Sequence, residues 1–251
     1  MKKSVVTLVL GMLLCAAPVL FAVSPYPALR TRAERAFHFE EWASAAALFD
    51  LMLEQKPDVP RTYAQAIVAN AMCGQTDRTS ELTTSALDNH IPFDTVFSNV
   101  REWSFFIGQP TLFENFLKQN REAHPWMRRT INAYLLKYYA FRRDGASMIE
   151  YAGLLLPGAP DNVEFLSVLA DGYMLTGRFG EGVATYERIL DIYPDNYDTL
   201  LTLGNWHMLH SEGSDLHSGE ARRYLERAYA LRPTPHVRQL LDRLVPDDGG
   251  R

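Results

Sequence analysis

Val163–Asp195 reads VEFLSVLADGYMLTGRFGEGVATYERILDIYPD. Leu166, Leu169, Ala170 and Tyr173 recur at helical spacing and form one apolar stripe. Gly182, Tyr186, Ile189 and Leu190 form a second stripe further on. Gly177 lies between them and can adopt the left-handed backbone that ends a helix. Pro194 cannot continue the second helix. Asp161 and Asn162 are both N-cap candidates, and Glu164 in the first turn suits the helix dipole. Ala170 and Gly182 are small, so the two helices can approach closely while Tyr173 and Tyr186 fill the flanks. The stretch predicts helix, tight turn, helix and stop.

The pattern recurs. In Tyr197–Pro233, Leu200, Leu203, Gly204 and His207 take the first-stripe places, and Ala221, Leu225, Ala228 and Tyr229 take the second. The match needs a polar insertion within Ser211–Gly219, with Ser218 as N-cap of the helix after it. Tyr26–Asp58 carries Leu29, Ala33, Ala36, Trp42, Ala45, Phe49 and Pro57 in the same rhythm. Three fainter units lie between. Val59–Pro92 has Ala66, Ala69, Gly74 and Ala86; Phe93–Pro125 has Phe97, Val100, Phe105, Gly108, Phe113 and Leu117. Trp126–Pro160 has Ile131, Tyr134, Leu135, Tyr138, Tyr151 and Leu154. Units begin near 26, 59, 93, 128, 163 and 197, a period of about 34 residues.

These residues and this period resemble the tetratricopeptide repeat (TPR). The resemblance is specific in the first, fifth and sixth units and degenerate in the other three. It implies an all-α fold, an α-α superhelix (solenoid) of about six TPR-like helical hairpins spanning residues 23–245. In TPR proteins the first helices of successive units line a concave surface. The positions that would face it are Asn132 and Tyr139 in the fourth unit, Ser167, Asp171 and Met174 in the fifth, and Leu201, Asn205 and Met208 in the sixth. Asn and Asp can bond a backbone and Met adapts its shape, a mixture suited to an extended peptide or a helix of a protein partner. Some TPR proteins clamp a C-terminal carboxylate with Lys and Asn. Asn205 matches the Asn part, but Ser167 and Leu201 stand where a Lys would be wanted.

The first residues read as an export signal, residues 1–22. Lys2 and Lys3 give a charged start, Val5–Leu14 an apolar run, and Ala16, Ala17 and Ala22 small residues near a cleavage site after Ala22. Alternatives are a retained anchor, since Val5–Val23 has about the minimum length to span a bilayer, or lipidation at Cys15, against which Leu14 argues. Either would make the chain a membrane-held envelope assembly factor instead of an exported scaffold. No other segment approaches a transmembrane length. Loss of Lys2 and Lys3 takes the formal charge from −5 to −7, which disfavours non-specific nucleic-acid binding. Cys73 is then left without a disulfide partner and is expected to pack as a small apolar residue. The tail 246–251, PDDGGR, is expected to be disordered.

No phosphate loop, HExxH pair or nucleophile elbow is present, so no enzyme and no cofactor is expected. His207, His210 and His217, near Glu212 and Asp215, are the best metal candidate. His207 occupies a core place, however, and the other two flank a polar loop, so no metal is expected. Trp103, Phe105 and Phe106 are expected in the core. Arg128, Arg129, Arg142 and Arg143 flank one helix as solvated surface.

Overall fold

The computed structural model describes residues 24–210 and 215–244. Among these the chain forms thirteen α-helices, two short 3-10 turns and no strand. They are α1 (Tyr26–His38), α2 (Trp42–Gln55), α3 (Pro60–Met72), α4 (Thr76–Asp88), α5 (Phe93–Phe106), α6 (Pro110–Ala123) and α7 (Arg128–Arg142). Then follow α8 (Gly145–Leu155), α9 (Val163–Leu175), α10 (Phe179–Ile192), α11 (Tyr197–Leu209), α12 (Asp215–Leu231) and α13 (Pro235–Arg243). The first helices of the six hairpins start within a residue of the expected positions. Two compact units divide the chain, Met1–Phe113 and Glu114–Arg251. Each is built of antiparallel helical hairpins, in which α1 packs on α2, α2 on α3, α3 on α4 and α5, α7 on α8, α8 on α9, α9 on α10 and α11 on α12. The fold is all-α, built of solenoid hairpins.

One backbone device closes the hairpins. In the first five hairpins the C-cap of the first helix, or the residue after it, takes a left-handed φ: Glu40 (59°), Gly74 (73°), Gly108 (71°), Arg143 (55°) and Gly177 (77°). The next residue's N–H then reaches back five residues. Glu41 donates to Ala36 (2.8 Å), Gln75 to Asn70 (2.9 Å), Gln109 to Ser104 (2.8 Å), Asp144 to Tyr139 (3.1 Å) and Arg178 to Tyr173 (2.9 Å). This is the Schellman closure, which pairs carbonyls that the helix end would otherwise leave open. Three of the five sites are glycine. Glu40 and Arg143 accept the conformation with a Cβ.

In the first unit, α3 is the centre. Every residue from Thr62 to Asn70 is buried, since α2, α4 and α5 all pack against it. Ala64, Ala66 and Ala69 let the neighbours come close, while Tyr63 and Ile67 fill the larger gaps. A helix covered on all sides has no room for a one-sided stripe. Its polar side chains are paired inside: Asn70 Nδ2 donates to the Ala66 carbonyl (2.8 Å), and Tyr63 Oη meets Ser85 Oγ (3.2 Å) and accepts from Asn89 Nδ2 (3.2 Å).

In the second unit, Leu166, Ala170, Tyr186, Ile189, Leu200, Leu203, Leu225 and Ala228 form one core. Asn162 caps α9 by accepting from the Phe165 N–H (2.9 Å), and Asn196 caps α11 likewise through Thr199 (3.0 Å). Helices meet at glycine. A Cβ on Gly204 would stand 2.7 Å from Leu225 Cδ2, and one on Gly145 would stand 2.9 Å from the Gly172 carbonyl oxygen. The C-terminal α13 covers the end of the sixth hairpin. Thr234 Oγ1 accepts from Val237 N–H at its start, and Val237 and Leu240 are buried.

Several expectations are corrected. Leu169 and Tyr173 are half-buried, not core. Tyr173 sits under the Arg178 guanidinium, 4.5 Å from its ring centre. Leu154, Phe105 and Phe106 are exposed, Phe106 by 70%, because they fall just outside the arc that the neighbouring helices cover. Trp103 is half-buried against Phe37 (5.3 Å) and beneath Arg61 (4.9 Å). Cys73 is exposed at the C-cap of α3. Ser218 caps nothing: α12 already begins at Asp215, so the insertion is partly helical. The segments 1–22 and 246–251, and with them the signal, anchor and tail expectations, lie outside the described residues.

The turns make a prediction. Gly177→Ala should lower the unfolding free energy by about 1 kcal/mol, since an L-residue pays about 1–2 kcal/mol in the left-handed region. Arg143→Gly should leave it unchanged or raise it by up to about 1 kcal/mol, strain relief being partly cancelled by the entropy of glycine. Urea denaturation of both variants checks this. Midpoints moving in the same direction would show that the left-handed turn does not govern these sites.

Candidate functional site

The eight sequence-predicted face residues separate into two sets. On α9 and α11, Ser167, Met174, Leu201, Asn205 and Met208 are half-buried and Asp171 is exposed. They alternate with the buried Leu166, Ala170, Leu200, Leu203 and Gly204. Asp171 accepts a hydrogen bond from the Tyr186 hydroxyl on α10. Burial first, and then that carboxylate, push the Tyr186 hydroxyl above its ordinary pKa. Met174 lies over Gly182, where a Cβ would stand 2.7 Å from its sulfur. This set lies on the first helices α9 and α11, where Met174 fills the space that Gly182 leaves and Leu201 and Met208 also pack against the core.

Asn132 and Tyr139 on α7 do not face solvent; they are 7% and 5% exposed. Tyr139 points at α6, where its hydroxyl donates to Glu114 Oε1 (2.7 Å), the same oxygen that Lys118 Nζ meets (2.7 Å). Its ring stacks on Tyr151 of α8 at 5.3 Å. Tyr139 is thus a packing bridge between successive helices. Helical phase alone placed it on the first-helix face; the neighbouring α6 covers that face.

Around this bridge lies a polar cleft of about 360 Å³, lined by Glu114, Lys118, Tyr138, Tyr139, Arg142, Asp144 and Ser147. Asp144 is committed to the start of α8, where Oδ1 accepts from the Ser147 N–H (3.2 Å) and Oδ2 from Ser147 Oγ (2.9 Å). Burial raises the Glu114 pKa, but hydrogen bonds from Lys118 and Tyr139 and the Lys118 charge outweigh it, so Glu114 titrates below the ordinary glutamate value. Burial and the Glu114 hydrogen bond push Tyr139 up to about 12. Nothing in the sequence spacing linked Glu114 to Tyr139, which stand 25 residues apart.

The histidines gather at the sixth hairpin. His207 Nδ1 and His217 Nδ1 are 2.9 Å apart, between α11 and α12. His207 stacks on Tyr224 (5.7 Å), whose hydroxyl donates to Glu187 (3.1 Å). Trp206 lies edge-on to His207 (4.9 Å) and stacks on His210 (4.4 Å). His210 Nδ1 donates to the Trp206 carbonyl (2.7 Å). Among the described residues no three His, Cys, Asp or Glu side chains stand together as a ligand set, and Glu212 lies outside them. No described helix is long and apolar enough to cross a membrane.

No family model and no curated protein sequence matches the chain. Solved structures do. The chain is similar to the C-terminal part of a TPR repeat-containing protein from Cytophaga hutchinsonii, at 14% identity, covering 81% of this chain and 78% of that one with a TM-score of 0.49. It is similar to PilW, a widely conserved type IV pilus biogenesis factor, at 16% identity over 86% of this chain and 98% of that one, TM-score 0.49. A TPR repeats protein from Bacteroides fragilis is similar at 13% identity over 87% and 97%, TM-score 0.41.

The Glu114 cluster predicts a pH dependence. A carboxylate held below its unfolded pKa stabilises the fold above that unfolded value and loses the contribution as pH falls through the folded one. Lys118→Met keeps the aliphatic stem over Tyr139 and removes the charge. The stability gap between parent and variant should be widest above about pH 5 and narrow on acidification, as linkage requires. Thermal melts across that range measure it. A gap independent of pH would show that Lys118 acts by packing alone.

Proposed function

We propose that the chain is a non-catalytic scaffold that holds an extended peptide or a helix of a protein partner on the α9–α11 face. One observation carries this reading: Ser167, Leu201, Asn205 and Met208 remain half-exposed beside a fully buried stripe. Leu201 and Met208 rest one side on the core and keep the other open, and Ser167 and Asn205 are half-exposed beside them. The row offers short polar groups for a partner's backbone and adaptable apolar groups for its side chains. Peptides selected by display on the full chain test it. They should bind the parent, and Ser167→Arg combined with Asn205→Arg should weaken them by at least about tenfold, a loss of about 1.4 kcal/mol. Helicity and melting temperature should stay those of the parent, because both sites are partly exposed. Equal affinity in a folded double variant would move the interface off α9 and α11.

We further propose that residues 1–22 serve as an export signal, so that the scaffold works in the periplasm or cell envelope. The basis is the Lys2-Lys3 start, the apolar run and the small residues before Val23. Mass spectrometry of the mature N-terminus decides. The expected form begins near Val23. Retention of Lys2 and Lys3 would instead make the chain membrane-held, and a lipid on Cys15 would make it a lipid-anchored assembly factor.

A further inference from the structure

His207 and His217 bring two imidazole nitrogens to one point. Their Nδ1 atoms are 2.9 Å apart, with ring centres 5.2 Å apart and planes inclined by 41°. Such a contact is filled by one N–H and one lone pair, so the two rings share a single proton. A metal ion can take that proton's place. Metal–imidazole bonds of about 2.0–2.1 Å in a tetrahedral shell set two nitrogens about 3.3 Å apart. The pair would have to open by a few tenths of an ångström, and the rings would have to turn so that both lone pairs leave the N···N line and converge on the ion. His217 is half-buried between Trp206 and His210, while His207 is stacked on Tyr224, so His217 would make most of the turn.

Glu220 and Glu187 lie close enough to act on His207. Those two carboxylates also place negative charge near the pair, opposed by Arg223.

We propose that His207 and His217 form a two-imidazole site for a late first-row divalent cation of the Ni²⁺ or Zn²⁺ kind, tying α11 to α12. With two protein ligands the remaining positions are open to water, and binding is weaker than at a four-ligand structural zinc site. Imidazole pairs suit Zn, Cu and Ni above Mg or Ca.

Trp206 supplies a local reporter, since its ring centre is 4.9 Å from that of His207 and 5.6 Å from that of His217. An open-shell ion held between the imidazoles quenches its fluorescence. The experiment titrates the full chain, purified without a histidine tag, with NiCl₂ at about pH 7.5, where imidazoles are mostly neutral. Saturable quenching and one Ni²⁺ per chain by calorimetry are expected. His217→Ala and His217→Gln should each weaken binding by at least about tenfold, at the lower end of what losing even a supporting residue does to metal affinity. Trp206→Phe should lose the quenching and keep the calorimetric signal. No saturable binding, unchanged affinity in both His217 variants, or quenching that survives Trp206→Phe in full would each overturn the site.

Discussion

Five of the hairpins reverse the chain within three residues, and the carbonyls at the end of the first helix need partners there. A left-handed residue does both at once. It turns the backbone and lets the following N–H reach a carbonyl five positions back, as at Gly177 and Arg178. The same closure at Glu40, Gly74, Gly108 and Arg143 gives five hairpins one geometry despite dissimilar side chains. Helix packing inherits its register from that turn. Where the turn is fixed, the second helix returns along the first with a set phase, and a set pair of stripes faces inward.

The second constraint is how near two helices can come. Gly204 lets Leu225 lie against the α11 backbone, and Gly145 and Gly172 bring α8 and α9 into backbone contact. A methyl group at Gly204 would meet branched carbon, and one at Gly145 would meet carbonyl oxygen and Cβ; neither neighbour can give way cheaply. Gly182 differs, because the atom its Cβ would meet is the sulfur of Met174, the end of a flexible side chain. Met174 thereby serves packing as well as the accessible face.

Polar side chains fill what the stripes leave. Glu114, Lys118 and Tyr139 tie α6 to α7 through one carboxylate oxygen. Tyr224 ties α12 back to Glu187 of α10 while carrying His207 on its ring. Such contacts join successive hairpins, so a residue's role depends on which neighbour covers it. This is why Asp171 stays accessible and Tyr139 does not, although both occupy the same kind of first helix.

The sequence by itself determined the all-α class, the hairpin starts, Asn162 as a cap candidate, the left-handed turn at Gly177 and the small residue at Gly204. Each is a local matter: stripe period, capping chemistry and the absence of a Cβ are written within a few turns of chain. Tertiary structure alone decided the rest. It buried Asn132 and Tyr139, exposed Phe106 and Cys73, surrounded α3 on all sides and met His207 with His217 across an insertion. Periodicity says which residues share a helix face. Only the packing of other helices says whether that face meets protein or water, because burial is a property of what lies opposite.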